Sequence, residues 1–311
     1  MNDPNGSAAT RREIAAFALV LVVVTGIILF LTDGSILLSR PLWVDEVIAA
    51  LIANRPSPVA VIGDLGSGAD GGASLFHLGL WAVRAITGAL APSLLRFLAL
   101  ASVLTALVIS YATLRRGFGW PAAAAGVLAI GAHALVIEHS YDARFYGPWL
   151  MFCAMGAWLF ARRGSLPTRG NAVALAGSAI AMCTIHFYGI ITLALMAAAV
   201  IASGGSRWRE RVLIIRPAAW GLLALLVVVP LALAQRRAYT VPSWLPDFRW
   251  PQLTTLLSEF WLARIPVIAP LIIIIAALVR TRQAPVGVAP MAFVRGATTN
   301  AGIAALAGLA L

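Results

Sequence analysis

The stretch "SLFHLGLWAVRAITGAL", residues 74–90, decides the fold, because whether it crosses a membrane sets the side on which every later connection falls. It is apolar but short, and it carries His77 and Arg84. Around it the chain has 311 residues, 61% hydrophobic and 11% charged, far outside the range of soluble globular domains. Several other apolar runs are long enough to cross roughly 30 Å of hydrocarbon, and they lack the period-two alternation of barrel strands. The expected fold class is therefore all-α, a polytopic transmembrane helical bundle.

Candidate spans cover residues 14–32, 94–114, 121–138, 145–161, 171–185, 188–203, 217–234 and 265–280, and a ninth runs from near Ala301 to Leu311. These make about 8–9 spans in a single membrane domain over residues 1–311. If 74–90 lies in the interface, the connections "LRRGFG", "ARRGSLPTRG", "SGGSRWRERVLIIRP" and "VRTRQ" share a side with Arg11 and Arg12. If it spans, they move to the opposite side. Arginine-rich short loops stay cytoplasmic, so the interfacial reading is preferred, and the short amphipathic character agrees. The N-terminus is then cytoplasmic, and Ile14 to Leu31 reads as an uncleaved anchor.

All 23 basic residues are arginine and the net charge is +11. On this topology 14 arginines and 3 acids are cytoplasmic, against 9 arginines and 9 acids outside. The excess is thus topological, and no nucleic-acid partner is expected. The lysine-free, alanine-rich composition suits a GC-rich genome, and the expected location is a bacterial inner (plasma) membrane. Cys153 and Cys183 lie in apolar runs and read as inert packing residues.

Three outer segments result: the first loop, residues 33–93; the turn at 137–147; and residues 235–264, where Trp244, Trp250 and Trp261 read as interfacial anchors. Within the first loop, "GDLGSGADGGAS", residues 63–74, reads as a flexible tract. Upstream, "SRPLWVDEVIAALIAN", residues 39–54, reads as a helix over 41–53 opened by Pro41. Val44, Val47, Ile48 and Leu51 form its apolar stripe, Asp45 and Glu46 project away, and Ala49 and Ala50 leave room beside them. Adjacent helical positions diverge by about 100°, so one base with a supporting acid fits better than a flanking pair. The plain alternative is that both acids complement the helix N-terminus.

The turn at 137–147 gathers Glu138, His139, Tyr141, Asp142, Arg144 and Tyr146. A fixed arginine with tyrosine hydroxyls can hold a lipid-linked phosphate, and an interfacial aromatic belt is the alternative. His186 sits at another outer turn, and with His139 and the acids it raises a divalent metal ion, although no H-x-x-x-H spacing is present. Arg96 opens a span and needs either a partner or access to water.

Taken together, "PLWVDEVIAALIA" resembles the acidic motif in the first outer loop of polyprenyl-phosphate-sugar-dependent glycosyltransferases with the GT-C fold, the superfamily of protein O-mannosyltransferases and the lipid A aminoarabinose transferase. "SLFHLGLWAVRAITGALAPSLLRFLALASVL" is similar to their juxtamembrane segment and second span, "EHSYDARFYGPWLMF" to their arginine-tyrosine motif, and "HFYGIITLALMA" to a later span boundary. The resemblance covers residues 14–235 in matching order. Where the family has Pro-Pro-Leu before the juxtamembrane helix, this chain reads "GGASLFH". Relatives continue beyond the point where this chain stops, so a missing C-terminal region is expected.

The resemblance implies interfacial juxtamembrane helices in the first outer loop and sugar transfer, with inversion, from a polyprenyl-phosphate-linked donor. The acceptor is a lipid, glycan or protein on the outer face. Asp45 would be general base, with Glu46 supporting it by hydrogen bonding or through a metal. Arg144, with Tyr146 and Arg96, would bind the donor phosphate, and His139, Asp142 and His186 would support them. A possible divalent metal ion is the sole cofactor entertained. The competing expectation is a polytopic transporter or lipid flippase without transferase activity.

Overall fold

The computed structural model describes residues 4–32, 34–35, 40–165, 168–202 and 208–238. Every regular element among them is helical: α1 (Pro4–Leu31), α2 (Val44–Ala53), α3 (Pro58–Gly66), α4 (Ser74–Thr87), α5 (Pro92–Phe118), α6 (Trp120–Gly131) and α7 (Ala134–Glu138). They continue with α8 (Tyr146–Ser165), α9 (Arg169–Ile185), α10 (Gly189–Ala202), α11 (Trp208–Ala218), a 3₁₀ segment (Ala219–Ala224) and α12 (Leu225–Ala238). The expected spans at 265–280 and beyond Ala301, and the outer segment past Ala238, lie outside the described residues.

Among the described residues, three helical stretches are long and apolar enough to cross a membrane: Glu13–Leu31, Pro92–Phe118 and Arg211–Ala238. Trp120–Gly131 and Gly189–Ile201 are apolar but shorter. The deciding segment forms α4, whose 14 residues reach only about 21 Å, less than the roughly 30 Å of hydrocarbon. Gly88 ends it in the left-handed conformation, at φ 79°.

The long helices run alternately between two ends of the bundle. At one end Arg115 near the close of α5 pairs with Glu13 of α1, and Arg211 donates to the Ile201 carbonyl at the close of α10 (2.7 Å). At the other, the Tyr141 hydroxyl donates to Thr32 O after α1 (3.0 Å), and Gly147 at the start of α8 sits so close to α5 that a Cβ would lie 2.6 Å from Ala99 O. Each of these contacts joins two chain segments that the arginine count assigns to the same side.

Between the ends the core is apolar. Val24 and Ile28 of α1 pack on Val103 and Leu107 of α5, Val127 of α6 and Leu150 of α8. A second cluster joins Trp149 and Cys153 of α8, Leu175 and Met182 of α9 and Leu193 and Met196 of α10, reaching Ala49 and Ala53 of α2. Cys153 and Cys183 are free and buried, as their apolar setting implies. Ile52, Val61, Leu65 and Leu231 seat the first-loop helices on α12.

Two expected helices differ in form. The 121–138 run breaks at Ala132 and His133 into α6 and α7, and the last residue of α6, Gly131, packs closely against Val24 of α1. The 217–234 run is part of a longer path in which Pro217, lacking an amide hydrogen, precedes a tightening into 3₁₀ geometry before α12. That path continues four residues past the expected boundary, and this brings Gln235 to the site.

Candidate functional site

The site is built on α2, which begins at Val44 rather than at Pro41. Of its expected stripe, Val44, Val47 and Leu51 are exposed, whereas Ile48 turns inward and packs against the cluster of Ile52, Val61 and Leu65. Ala49, however, is fully buried in the protein core, so the space beside the acids is not where alanine spacing put it.

The two acids part company. Glu46 turns inward: its Oε2 accepts from the Trp43 amide (3.1 Å) and from Arg96 Nη2 (3.1 Å), and its Oε1 accepts from the Ala143 amide (2.8 Å). Arg96 in turn donates to the Arg40 and Pro41 carbonyls. Both side chains of the pair are 2% exposed. A buried charge pair of this kind is tolerated only when its remaining donors and acceptors are met, as they are here. Glu46 therefore caps α2 and ties it to the 139–145 turn, while Arg96 fastens the approach to α2.

Asp45 stays at the surface, its side chain 44% exposed. Beside it Arg144 is buried and held by Nη1, which donates to Asp45 O (3.1 Å) and Asp70 Oδ2 (3.2 Å). Arg144 Nη2 stands 3.9 Å from Asp45 Oδ2, too long for a hydrogen bond. The guanidinium is thus fixed from one side, with an exposed carboxylate near the other.

Asp70 was not among the residues singled out from sequence. It lies in the glycine-rich tract read as flexible, yet it is buried, accepting from Arg144 and paired with His77 Nε2 at 2.9 Å. Gln235 Nε2 donates to the backbone carbonyls of Asp70 (2.9 Å) and Gly72 (3.0 Å). Part of the tract is the end of α3, and the rest is pinned, which corrects the flexible reading. The glycines serve close approach: a Cβ on Gly72 would lie 2.8 Å from His77 Cε1. Burial pushes the Asp70 carboxyl up, but the His77 hydrogen bond and the Arg144 charge outweigh it and hold the group below its ordinary value. The sequence clue was an acid followed by two glycines, seven residues before a histidine in an apolar helix.

The remaining candidates form an aromatic wall. His139 pairs with Asp142 (2.6 Å) and stacks on Tyr146, ring centroids 4.1 Å apart. His186, which caps α9, contacts Phe145 (4.5 Å), stacks on Trp149 (4.9 Å) and meets the exposed Tyr188 (4.8 Å). Burial, and then the nearby Arg144 charge, push the His186 imidazole down to about 4, so it is neutral at pH 7. Asp45, Arg144, Tyr146, His139, Asp142 and His186 therefore gather at one end of the bundle, whereas Glu46 and Arg96 lie beneath them as supports.

Compared with protein-family models, curated proteins and solved structures, the chain matches none. The site must be read from its own chemistry. Among the described residues no group of three His, Cys, Asp or Glu side chains converges as a divalent-ion site. What the arrangement offers is an exposed carboxylate able to take a proton, a buried guanidinium able to meet an anion, and flat ring surfaces alongside.

Proposed function

We propose that the chain is an inverting membrane glycosyltransferase that moves a sugar from a polyprenyl-phosphate-linked donor to a lipid, glycan or protein acceptor. The single observation that supports it most is the exposed Asp45 carboxylate 3.9 Å from the fixed Arg144 guanidinium. The GT-C-like arrangement of about eight to nine spans, with the N-terminus cytoplasmic and the site on the outer face of a bacterial plasma membrane, belongs to the same proposal. The separation of the arginine-rich end from the end bearing Asp45, Asp70 and the histidines supports that orientation.

In the reaction an acceptor hydroxyl oxygen forms a bond to the anomeric carbon as the carbon–oxygen bond to the polyprenyl phosphate breaks. The hydroxyl proton passes to the Asp45 carboxylate, and the electron pair leaves with the phosphate, whose growing charge meets Arg144. In-line displacement places base and phosphate on opposite faces of the sugar. Asp45, the exposed partner, therefore swings away from Arg144 as the donor enters, while Asp70 keeps the guanidinium in place. Glu46 holds α2 against the 139–145 turn, so that base and guanidinium stay in register.

The test is to supply purified full-length protein in lipid with labelled polyprenyl-phosphate sugar and candidate acceptors. A glycosylated product of inverted anomeric configuration is expected. Movement of intact donor across the bilayer with no new glycosidic bond would replace this reading with transport.

A further inference from the structure

Asp70 holds Arg144 from a stretch with little stiffness of its own. It stands between α3 and α4, with Gly71 and Gly72 behind it and Gly68, at φ 80°, ahead of it. A glycine-rich connection left to itself samples many conformations, and a carboxylate carried on one would not keep a guanidinium in a set place. Two side chains from outside the connection supply the restraint. Leu231 of α12 packs with Val61 and Leu65 of α3, and Gln235 follows one turn later on the same helix face. The Gln235 Nε2 amide gives its two hydrogens to the carbonyls of Asp70 (2.9 Å) and Gly72 (3.0 Å), and the residue is 5% exposed. His77 of α4, fully buried, meets Asp70 Oδ2 through Nε2 at 2.9 Å, on the same oxygen that accepts from Arg144 Nη1.

We propose that Gln235 and His77 are positioning residues for the donor phosphate, acting through Asp70 on Arg144. The inference rests on the phosphate-binding role proposed for Arg144. Gln235 fixes the backbone of Asp70, and His77 fixes its carboxylate. An amide buried in a helix adds little net stability over an apolar side chain of similar size, because its hydrogen bonds replace hydrogen bonds to water. What Gln235 adds is placement. The Asp45 carboxylate stands only 3.9 Å from Arg144 Nη2, and Asp70 is the fixed acid that holds the guanidinium back from it. With Asp70 loosened, Arg144 closes on Asp45, and the proton acceptor and the phosphate clamp then neutralise one another. A restraint of this kind acts on an anion at Arg144 and leaves the contacts of a lipid tail alone.

The test is equilibrium binding of polyprenyl phosphate and of the uncharged polyprenol to full-length protein in lipid, below the unfolding temperature of every variant. Gln235→Met should bind polyprenyl phosphate about tenfold more weakly and polyprenol as before. In the Arg144→Gln background the same substitution should cost nothing further, because it acts through that residue. Undiminished binding of polyprenyl phosphate by Gln235→Met, an equal loss for polyprenol, or an equal loss with and without Arg144 overturns the inference and leaves the transferase reading standing. If the unaltered protein does not prefer polyprenyl phosphate to polyprenol, the phosphate role of Arg144 falls and this inference falls with it. If Gln235→Met unfolds early, His77→Leu, which frees the carboxylate instead of the backbone, replaces it, and unchanged phosphate preference in that variant overturns the inference.

Discussion

Glu46 and Arg96 lie 3.1 Å apart beneath the candidate site, each side chain 2% exposed, although 50 residues separate them in sequence. The pair joins α2 to α5, a membrane-length helix, and through the Ala143 amide it joins both to the turn that carries Arg144. Removing one member leaves the other as an unpaired buried charge. Arg96→Met is therefore expected to destabilise the protein by about 3–5 kcal/mol. Adding Glu46→Gln to it should restore part of the loss. Thermal unfolding of both single variants and of the double variant in detergent checks this, and purely additive effects would show that the charges do not act as a pair.

Asp70 fixes Arg144, and its carboxyl lies below its ordinary value, so the sign of its pH effect is set. The folded form holds its proton less tightly than the unfolded form. The stabilisation is therefore complete above the unfolded value of about 3.8 and is lost as pH falls through the lower folded value. Asp70→Asn should lower the unfolding temperature at neutral pH and remove this acid-dependent part. A titration of unfolding temperature from about pH 7 to pH 3 in both proteins measures it.

His186 titrates in a different window. Its folded value of about 4 lies below the ordinary 6.5, so between these values the unfolded state takes up a proton that the folded state refuses. Stability should then decline as pH falls from about 6.5 toward 4, ahead of the Asp70 effect. His186→Phe, which keeps a ring against Trp149, should flatten that part of the same curve.

Gly147 lets α8 approach α5 near the site. A Cβ there would stand 2.6 Å from the Ala99 carbonyl oxygen, and backbone cannot yield as a side-chain tip does. Gly147→Ala is expected to cost about 1–3 kcal/mol and to displace the adjoining Tyr146. Unfolding measurements check the cost.

What the sequence made legible was mostly what hydropathy and charge encode. The all-helical class, the short α4 and the gathering of Asp45, Arg144, Tyr146 and His186 at one end follow from apolar run lengths and from where arginines fall. Long-range pairing was not legible. Nothing near Arg96 in sequence names Glu46 as its partner, and adjacent acids give no sign that one turns into the core and the other out. Glycines around Asp70 suggested flexibility because composition does not distinguish a loose loop from one that needs close backbone approach. Hydropathy also runs on across Gly131, Ala132 and His133, where the helix in fact ends.

The central claim is that Asp45 takes the acceptor's proton. Single-turnover transfer from labelled polyprenyl-phosphate sugar, in full-length protein and in Asp45→Asn, tests it most directly. Because the Asp45 side chain is 44% exposed and Asn keeps its size, the variant should fold and retain the donor yet transfer sugar at least about 10²-fold more slowly. Transfer at an undiminished rate would contradict the account.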